Sequence, residues 1–157
     1  DTFIMIIKLI KKILVLNGPN LNLLGRREPK IYGNISLSEI ENNLLSLQNK
    51  LSVKIDCIQS NNEGELINIV QEANEKYSGM IINAGGYSHT SIALMDALKF
   101  FGRPIIEVHM SNIYIRENFR HISYISKVAN GSICGFGAEG YEMAINCIIK
   151  LIDVDYN

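Results

Sequence analysis

Glu107 and His109 form the first pair of residues in this sequence whose types and spacing could do chemistry. They stand two positions apart in the apolar run Ile105–His109, and side chains at positions i and i+2 of a strand point to the same side. A carboxylate beside an imidazole fixes the tautomer of the ring and raises its pKa, which suits the histidine to act as a general acid. The alternative is a buried structural pair, and these two residues alone leave both interpretations open.

A second candidate pair lies in the loop 25–33, GRREPKIYG, where Tyr32 follows Arg27 by five positions. Glycines flank this loop, which is long enough to close over a site. A free tyrosine has a pKa of about 10, so using it as a base at pH 7 costs about 4 kcal/mol. A guanidinium within about 4 to 6 Å lowers a pKa by about 1 to 3 units and offsets much of that cost. The loop could instead be a solvated basic segment whose tyrosine packs against the protein.

The elements that position these residues are strands and helices in alternation. Apolar runs at 13–16, 53–58, 80–82, 105–108 and 133–134 predict five strands. The predicted helix faces between and after them are Ile40, Leu44, Leu47 and Leu51; Leu66, Ile69, Val70, Ala73 and Tyr77; Ile92, Met95 and Leu98; and Tyr141, Ala144, Ile145 and Ile148. Such alternation indicates parallel strands joined by crossover helices. We predict an α/β fold, a flavodoxin-like doubly wound five-stranded parallel sheet in the order 2-1-3-4-5, with the second strand at an edge.

Polar and glycine-rich segments follow three of the predicted strands, at 17–22, 83–89 and 109–112. In an open parallel sheet, ligands bind beyond the carboxyl ends of the strands, above all where the strand order reverses. One such segment would be an ordinary turn. Three segments at corresponding strand ends predict a single binding crevice.

Composition narrows the class of protein. The 157 residues suit one domain, and the 47% that are apolar can build one core. The net charge of -1 gives no basic field for nucleic acid or an acidic membrane surface. The three cysteines and three histidines lack metal-ligand spacing, and the cysteines form no disulfide pattern. We therefore expect no metal and a reducing, cytoplasmic location.

The N-terminal segment 1–10 stands apart from this pattern. Its apolar run is shorter than the roughly 20 residues of a membrane span, and its lysines do not precede the run as they would in a secretory signal. We predict an N-terminal extension, native or left from expression, at 1–10 and a single catalytic α/β domain at 11–157.

Two further motifs have competing interpretations. The run 135–140 matches the dinucleotide-binding pattern G-x-G-x-x-G, but only 17 residues follow it, too few to complete that unit. We predict instead that its glycines let the last strand turn tightly into the last helix. Arg116 and Arg120 are spaced to share a helical face, where they could hold a carboxylate substrate or simply face solvent.

Three segments together resemble a known family, the type II 3-dehydroquinate dehydratases, also called type II dehydroquinases. The segments are LNGPNLNLLGRREPKIYG at 16–33, INAGGYSHTS at 82–91 and EVHMSNIYIRENFRH at 107–121. The likeness extends over residues 11–152 in order and spacing, so it is far more specific than the isolated glycine motif. It implies reversible anti dehydration of 3-dehydroquinate to 3-dehydroshikimate through an enolate, without a metal, an organic cofactor or a lysine Schiff base.

The resemblance implies five catalytic roles, carried over residue by residue. Tyr32 matches the base that removes the C2 proton, and Arg27 matches the lid arginine that keeps this tyrosine ionised. Asn20 matches the residue that holds a water against the developing enolate oxygen. His109 resembles the general acid that protonates the departing C1 hydroxyl, with Glu107 as its orienting partner.

The resemblance also implies substrate contacts and an assembly. The positions that match substrate contacts are Asn83, His89, Met110, Ser111 and Arg120. Of these, His89 and Arg120 would hold hydroxyls, and the backbone at Met110 and Ser111 would address the carboxylate. Asp96 matches a residue that the family contributes from a neighbouring subunit, so a homo-oligomer is implied, a dodecamer built from trimers. The chain departs from the family at Tyr114, where a histidine is frequent, and in the extension 1–10.

Two rival classes share the predicted fold, because fold alone does not fix function. A response-regulator-like binding module would need an acidic cluster after the first strand, where this chain has Asn17, Gly18, Pro19 and Asn20. A flavin-binding module would give a coloured protein. Within the dehydratase interpretation, the same reaction serves aromatic biosynthesis and quinate breakdown, and the sequence favours neither.

Overall fold

A five-stranded parallel sheet forms the middle layer of the structure, a computed structural model that describes residues 10–155. The strands are β1 (Lys11–Asn17), β2 (Val53–Gln59), β3 (Gly79–Asn83), β4 (Ile105–His109) and β5 (Gly131–Cys134). Their order is β2-β1-β3-β4-β5, and all four neighbouring pairs are parallel. The predicted fold and the edge position of the second strand are confirmed. The predicted extension, apart from Ile10, lies outside the described residues.

Helices cover the sheet on both faces. They are α1 (Pro29–Tyr32), α2 (Leu37–Ser46), α3 (Gln48–Leu51), α4 (Glu63–Lys76), α5 (Ile92–Phe101) and α6 (Glu139–Asp155). The start of α2 is a capping box, in which the Ser36 hydroxyl accepts from the Glu39 N–H at 3.2 Å and the Glu39 carboxylate accepts from the Ser36 N–H at 2.8 Å. These bonds satisfy N–H groups that have no partner within the helix. In the described part of the chain, no helix is long and apolar enough to cross a membrane.

Strand β1 shows why the sheet needs helices on both faces. Ile13 and Val15 point into the core beneath α2 and α6, whereas Leu14 and Leu16 point into the core beneath α4 and α5. All four side chains are fully buried. Because each such burial contributes about 1.5 to 3 kcal/mol, a continuously apolar strand is stable only between two helical layers.

The buried face of α5 differs from the predicted one. We expected Ile92, Met95 and Leu98 on one face, but Ile92 is 53% exposed. The buried residues of the helix are Leu94, Ala97, Leu98 and Phe101. This helix is apolar around much of its circumference, so helical spacing alone fits two stripes, and packing against α4 and the sheet selects one of them.

The glycine-rich run 135–140 makes the connection from β5 to α6. Gly135 and Gly137 have φ values of 94° and 57°, in the left-handed region that glycine adopts without steric cost. The Gly137 N–H donates to the Met110 carbonyl oxygen at 2.9 Å, which ties this turn to the end of β4. The interpretation of the motif as a tight turn is confirmed.

Candidate active site

One pocket opens beyond the carboxyl ends of β1, β3 and β4, as the polar strand ends predicted. The sequence-predicted site residues that line it are Asn20, Arg27, Tyr32, Asn83, His89, His109, Met110, Ser111 and Arg120. The two others lie elsewhere. Glu107 is buried behind His109, and Asp96 lies on α5, outside this pocket.

Two glycines let the loops after β1 and β3 meet at the floor of the pocket. The Gly18 N–H donates to the Asn83 carbonyl oxygen at 2.8 Å. A Cβ atom at Gly18 would lie 2.5 Å from the Ala84 carbonyl oxygen, and one at Gly85 would lie 2.9 Å from the Pro19 carbonyl oxygen. Since no side chain fits at either place, glycine is required for this contact between loops.

Glu107 and His109 lie on the same side of β4, as strand alternation predicted. The Nε2 atom of His109 lies 2.6 Å from Glu107 Oε1, and Glu107 is fully buried. The hydroxyls of Ser123 and Ser126 also donate to this carboxylate, and Ser132 Oγ donates at 3.1 Å. Burial by itself raises the pKa of Glu107, but the hydrogen bonds and charge of His109, together with the serine hydroxyls, outweigh it and hold the pKa below its ordinary 4.5. The carboxylate is therefore ionised and can orient and support a protonated imidazole.

Tyr32 ends the short helix α1 and presents its hydroxyl to a guanidinium from another part of the chain. Arg116 Nη1 donates to Tyr32 Oη at 3.0 Å and to Ser111 Oγ at 3.1 Å. Arg27 instead lies beside the ring, with its Cζ atom 5.8 Å from the ring centroid, and its Nε atom lies 3.2 Å from Glu28 Oε2. Two arginines thus flank the tyrosine, and the one that contacts its oxygen is Arg116.

The prediction that Arg116 and Arg120 share one face of a helix is wrong. The chain forms two short 3-10 turns, Ile113–Ile115 and Asn118–Arg120, and Arg116 between them is extended. A side-chain bond explains the break, because the ring nitrogen Nε2 of His121 lies 3.0 Å from the Arg116 carbonyl oxygen, which an α-helix would pair with a backbone N–H. Both arginines still line the pocket, and Arg120 Nε donates to Glu117 Oε2 at 2.9 Å.

A buried chain of polar side chains supports Asn83 from below. Asn83 Nδ2 donates to Tyr141 Oη at 2.9 Å, and this hydroxyl donates in turn to Asn17 Oδ1 at 2.6 Å. The Oδ1 atom of Asn83 accepts the Gly85 N–H at 3.2 Å. Because burial raises the pKa of Tyr141, its hydroxyl stays neutral and can both donate and accept. These bonds leave the second hydrogen of the Asn83 amide for a ligand.

His89 lies against His109, with ring centroids 6.0 Å apart and planes 19° apart. Its Nδ1 atom is 2.7 Å from the Ile122 carbonyl oxygen. Burial lowers the pKa of His89, the bond to Ile122 opposes this, and the nearby charges of His109 and Arg120 lower the pKa further. Since a carbonyl can only accept, the neutral ring carries its proton on Nδ1 and offers Nε2 as an acceptor, which suits a substrate hydroxyl.

Asp96 lies outside the pocket, and the described residues form no metal-binding group. Asp96 is exposed on α5, with its Oδ1 atom 3.8 Å from Lys99 Nζ. Its assignment to a neighbouring subunit's site stays a prediction. Between residues 10 and 155, no three His, Cys, Asp or Glu side chains are grouped so that they could hold a metal ion.

Sequence reasoning missed several residues of this site. Arg116 was considered as a carboxylate ligand or a solvent-facing residue, Tyr141 only as part of the helix core, and Ser123, Ser126 and Ser132 not at all. Their roles depend on contacts between residues far apart in the chain. No local spacing signals them, although the polar strand ends do indicate where such partners must gather.

Comparison with known proteins gives the family. The sequence model of the family described as dehydroquinase class II matches residues 11–149. The chain belongs to this family. The 3-dehydroquinate dehydratase of Endomicrobium trichonymphae is 51% identical over 143 residues, which cover 91% of this chain and all of that protein. The 3-dehydroquinate dehydratase 1 of Bradyrhizobium diazoefficiens is 56% identical over 134 residues, 85% of this chain and 86% of that one.

Solved structures agree with the family assignment. The crystal structure of the type II dehydroquinase from Butyrivibrio crossotus superposes with a TM-score of 0.87 at 45% identity. The match covers 88% of this chain and 97% of that one. Membership of the class II dehydroquinases therefore rests on sequence and fold together, as the resemblance of the three segments predicted.

Proposed function

We propose that this chain catalyses the reversible anti dehydration of 3-dehydroquinate to 3-dehydroshikimate, with the pocket at the ends of β1, β3 and β4 as its active site. The observation that carries this proposal is the presence in one pocket of a tyrosine hydroxyl bonded to a guanidinium and a histidine bonded to a buried carboxylate. Family membership supports the same reaction. Elimination of water beside a ketone needs a base that takes the proton from carbon and a separate acid that protonates the departing hydroxyl.

Tyr32 acts as the base in this proposal. Its phenolate takes the C2 proton, and the electrons of the broken C–H bond move into the ketone to form an enolate. The guanidinium of Arg116 at 3.0 Å from the Tyr32 oxygen stabilises the phenolate before the transfer. Arg27, beside the ring, adds positive charge from the lid. Asn20 holds a water against the enolate oxygen, which is the kind of preorganised donor that such an intermediate requires.

His109 acts as the acid in the second step. The enolate electrons re-form the ketone and expel the C1 hydroxyl, which takes a proton from the imidazolium of His109 and leaves as water. Glu107 stays ionised throughout and orients the ring through the 2.6 Å bond. The product is a conjugated enone, and proton exchange restores the phenolate and the imidazolium.

The remaining pocket residues bind the substrate in this proposal. Ser111 and the backbone at Met110 take the carboxylate, His89 and Arg120 take ring hydroxyls, and Asn83 contributes its free amide hydrogen. Ser111 Oγ already accepts from Arg116 Nη1. A substrate carboxylate beside it would therefore lie close to a guanidinium, which favours an anion there.

We also propose that the active unit is an oligomer of the α/β domain that begins at residue 11, a dodecamer of trimers in which Asp96 completes a neighbouring site. The outer face of α5 supports this, because Ile92 and Phe100, each four positions from Asp96 on this helix, are 53% and 65% exposed. Paired apolar side chains of this size favour a protein contact. Light scattering should give a mass of several chains, and a monomer at working concentration would contradict the proposal.

We also propose that the enzyme is cytoplasmic and acts in the shikimate pathway of aromatic amino acid biosynthesis or in quinate breakdown.

The absorbance of the conjugated enone tests the proposed activity. Purified protein mixed with 3-dehydroquinate should give a rising ultraviolet signal, and heat-denatured protein should give none. Borohydride added with substrate should leave the activity intact, because the proposed route forms no imine that could be reduced. No rise at high protein concentration would refute the activity, and inactivation by borohydride would refute the mechanism. A yellow protein that binds flavin would instead support the rival binding module.

A further inference from the structure

Asn20 has a backbone conformation that is uncommon among non-glycine residues, although asparagine adopts it more readily than most. Its φ and ψ are 68° and -4°, in the left-handed region. Among the described residues its side chain has no hydrogen-bond partner, and it lines the pocket. Because no side-chain bond holds the amide, the backbone geometry of this residue sets the position from which the amide reaches a ligand.

Asn61 supplies the contact that holds this conformation from outside the pocket. Its Oδ1 atom accepts the backbone N–H of Asn20 at 3.0 Å, although the two residues are 41 positions apart. Asn61 lies in the connection from β2 to α4 and does not line the pocket. A change at Asn61 can thus reach a ligand only through other residues.

Asn61 is itself held by one bond to its side chain and one to its backbone. Gln59 Nε2 donates to Asn61 Oδ1 at 3.1 Å and to the Gly18 carbonyl oxygen at 3.1 Å. The hydroxyl of Tyr87 donates to the Asn61 carbonyl oxygen at 2.8 Å. Since Gly18 precedes Asn20 in the same loop and Tyr87 follows β3, these bonds connect the ends of β1, β2 and β3 around one residue, Asn61.

We propose that Asn61 is a positioning residue for catalysis, which fixes the left-handed backbone of Asn20 and so aims the Asn20 amide at the enolate oxygen. This inference rests on the role proposed above for Asn20. It assigns a role in catalysis to a residue of the β2–α4 connection that does not line the pocket. Because the enolate oxygen gains its charge during the reaction, Asn61 should affect turnover more than substrate binding.

Three single variants separate positioning from folding. Asn61→Ala removes the acceptor and should lower kcat about 10- to 100-fold, as a small misplacement of a catalytic group does, with little change in KM. Asn61→Asp keeps an oxygen acceptor for the Asn20 N–H and should retain most of kcat. Asn62→Ala, at the next position, removes only the cap on the Glu65 N–H at the start of α4 and should leave kcat unchanged. Thermal unfolding of each variant shows that the folded protein is being compared.

A double-mutant cycle with Asn20→Ala gives the deciding measurement. If Asn61 acts through Asn20, then Asn61→Ala lowers kcat in the wild-type background and has almost no further effect once Asn20 is alanine. An equal loss in both backgrounds, an N61D variant as slow as N61A, or an N20A variant with full activity would overturn the inference. Failure of the proposed function looks different, because then the wild-type protein itself produces no enone.

Discussion

The hydroxyl oxygen of Tyr32 and the guanidinium of Arg116 are joined by a hydrogen bond of 3.0 Å across 84 positions of sequence. The positive charge nearest the candidate base therefore comes from the turn after β4, while Arg27 of the proposed lid, the loop 25–33, lies beside the ring. A lid can open and close, but the bond to Arg116 anchors the tyrosine to the same segment that carries Ser111. The proposed base and the proposed substrate-binding residue Ser111 are thereby positioned together.

Replacing Arg116 by glutamine should slow turnover strongly. A hydrogen bond to a charged group contributes about 1.5 to 3 kcal/mol, so its loss from the phenolate should lower kcat about 10- to 100-fold. Steady-state assays with 3-dehydroquinate measure this. Arg103→Gln is the matched control, since it removes the same charge from a residue that bonds to the Asn74 carbonyl oxygen, away from the pocket. An R116Q rate equal to that of R103Q would contradict the role of Arg116.

Glu107 should make the stability of the protein depend on pH in the acidic range. Its pKa lies below the ordinary 4.5 in the folded state, through the hydrogen bonds and charge that outweigh its burial. The unfolded chain then binds the proton more readily, so the contribution to the free energy of unfolding is present above about pH 4.5 and is lost as the pH falls through the folded value.

Denaturant titrations of wild type and Glu107→Gln between pH 3 and 7 measure this contribution. The free energies of unfolding should differ most above pH 4.5 and converge as the pH falls. If wild type instead lost stability relative to E107Q as the pH rose above 4.5, the carboxyl would be protonated in the folded protein. Such a result would also remove the orienting role proposed for Glu107.

The success of the sequence predictions differs between the sheet and the site for a physical reason. Continuous apolar strands such as β1 and the capping box at Ser36 are local signals, so order, layers and edge strand could all be predicted. The face of α5 was wrong because the apolar residues of that helix fit two stripes. Arg116 was placed on a helix that does not form, because helical spacing does not show that the His121 ring, five positions away, contacts its carbonyl oxygen.

Tyr141→Phe should weaken both the fold and substrate binding. The change removes a buried hydroxyl that bonds to Asn17 and Asn83, and buried polar groups left unpaired cost about 1 to 3 kcal/mol. We expect a loss of that size in the free energy of unfolding, together with a higher KM as Asn83 loses its support.

Tyr77→Phe is the control on the opposite face of the sheet. Tyr77 is also largely buried, and its hydroxyl donates to Asp56 Oδ2 at 2.7 Å, but neither residue lines the pocket. Its loss should lower stability and leave KM unchanged. If Y141F and Y77F altered KM equally, the link between Tyr141 and the substrate site would have to be abandoned.

The central claim is that Tyr32 removes the C2 proton of the substrate. Tyr32→Phe keeps the ring between Arg27 and Arg116 and removes only the oxygen, so it tests this claim most directly. Calorimetry should show that the variant binds 3-dehydroquinate with nearly the affinity of wild type, while the absorbance assay shows no enone even at high enzyme concentration. A Y32F protein that binds substrate and turns it over at the wild-type rate would contradict the account.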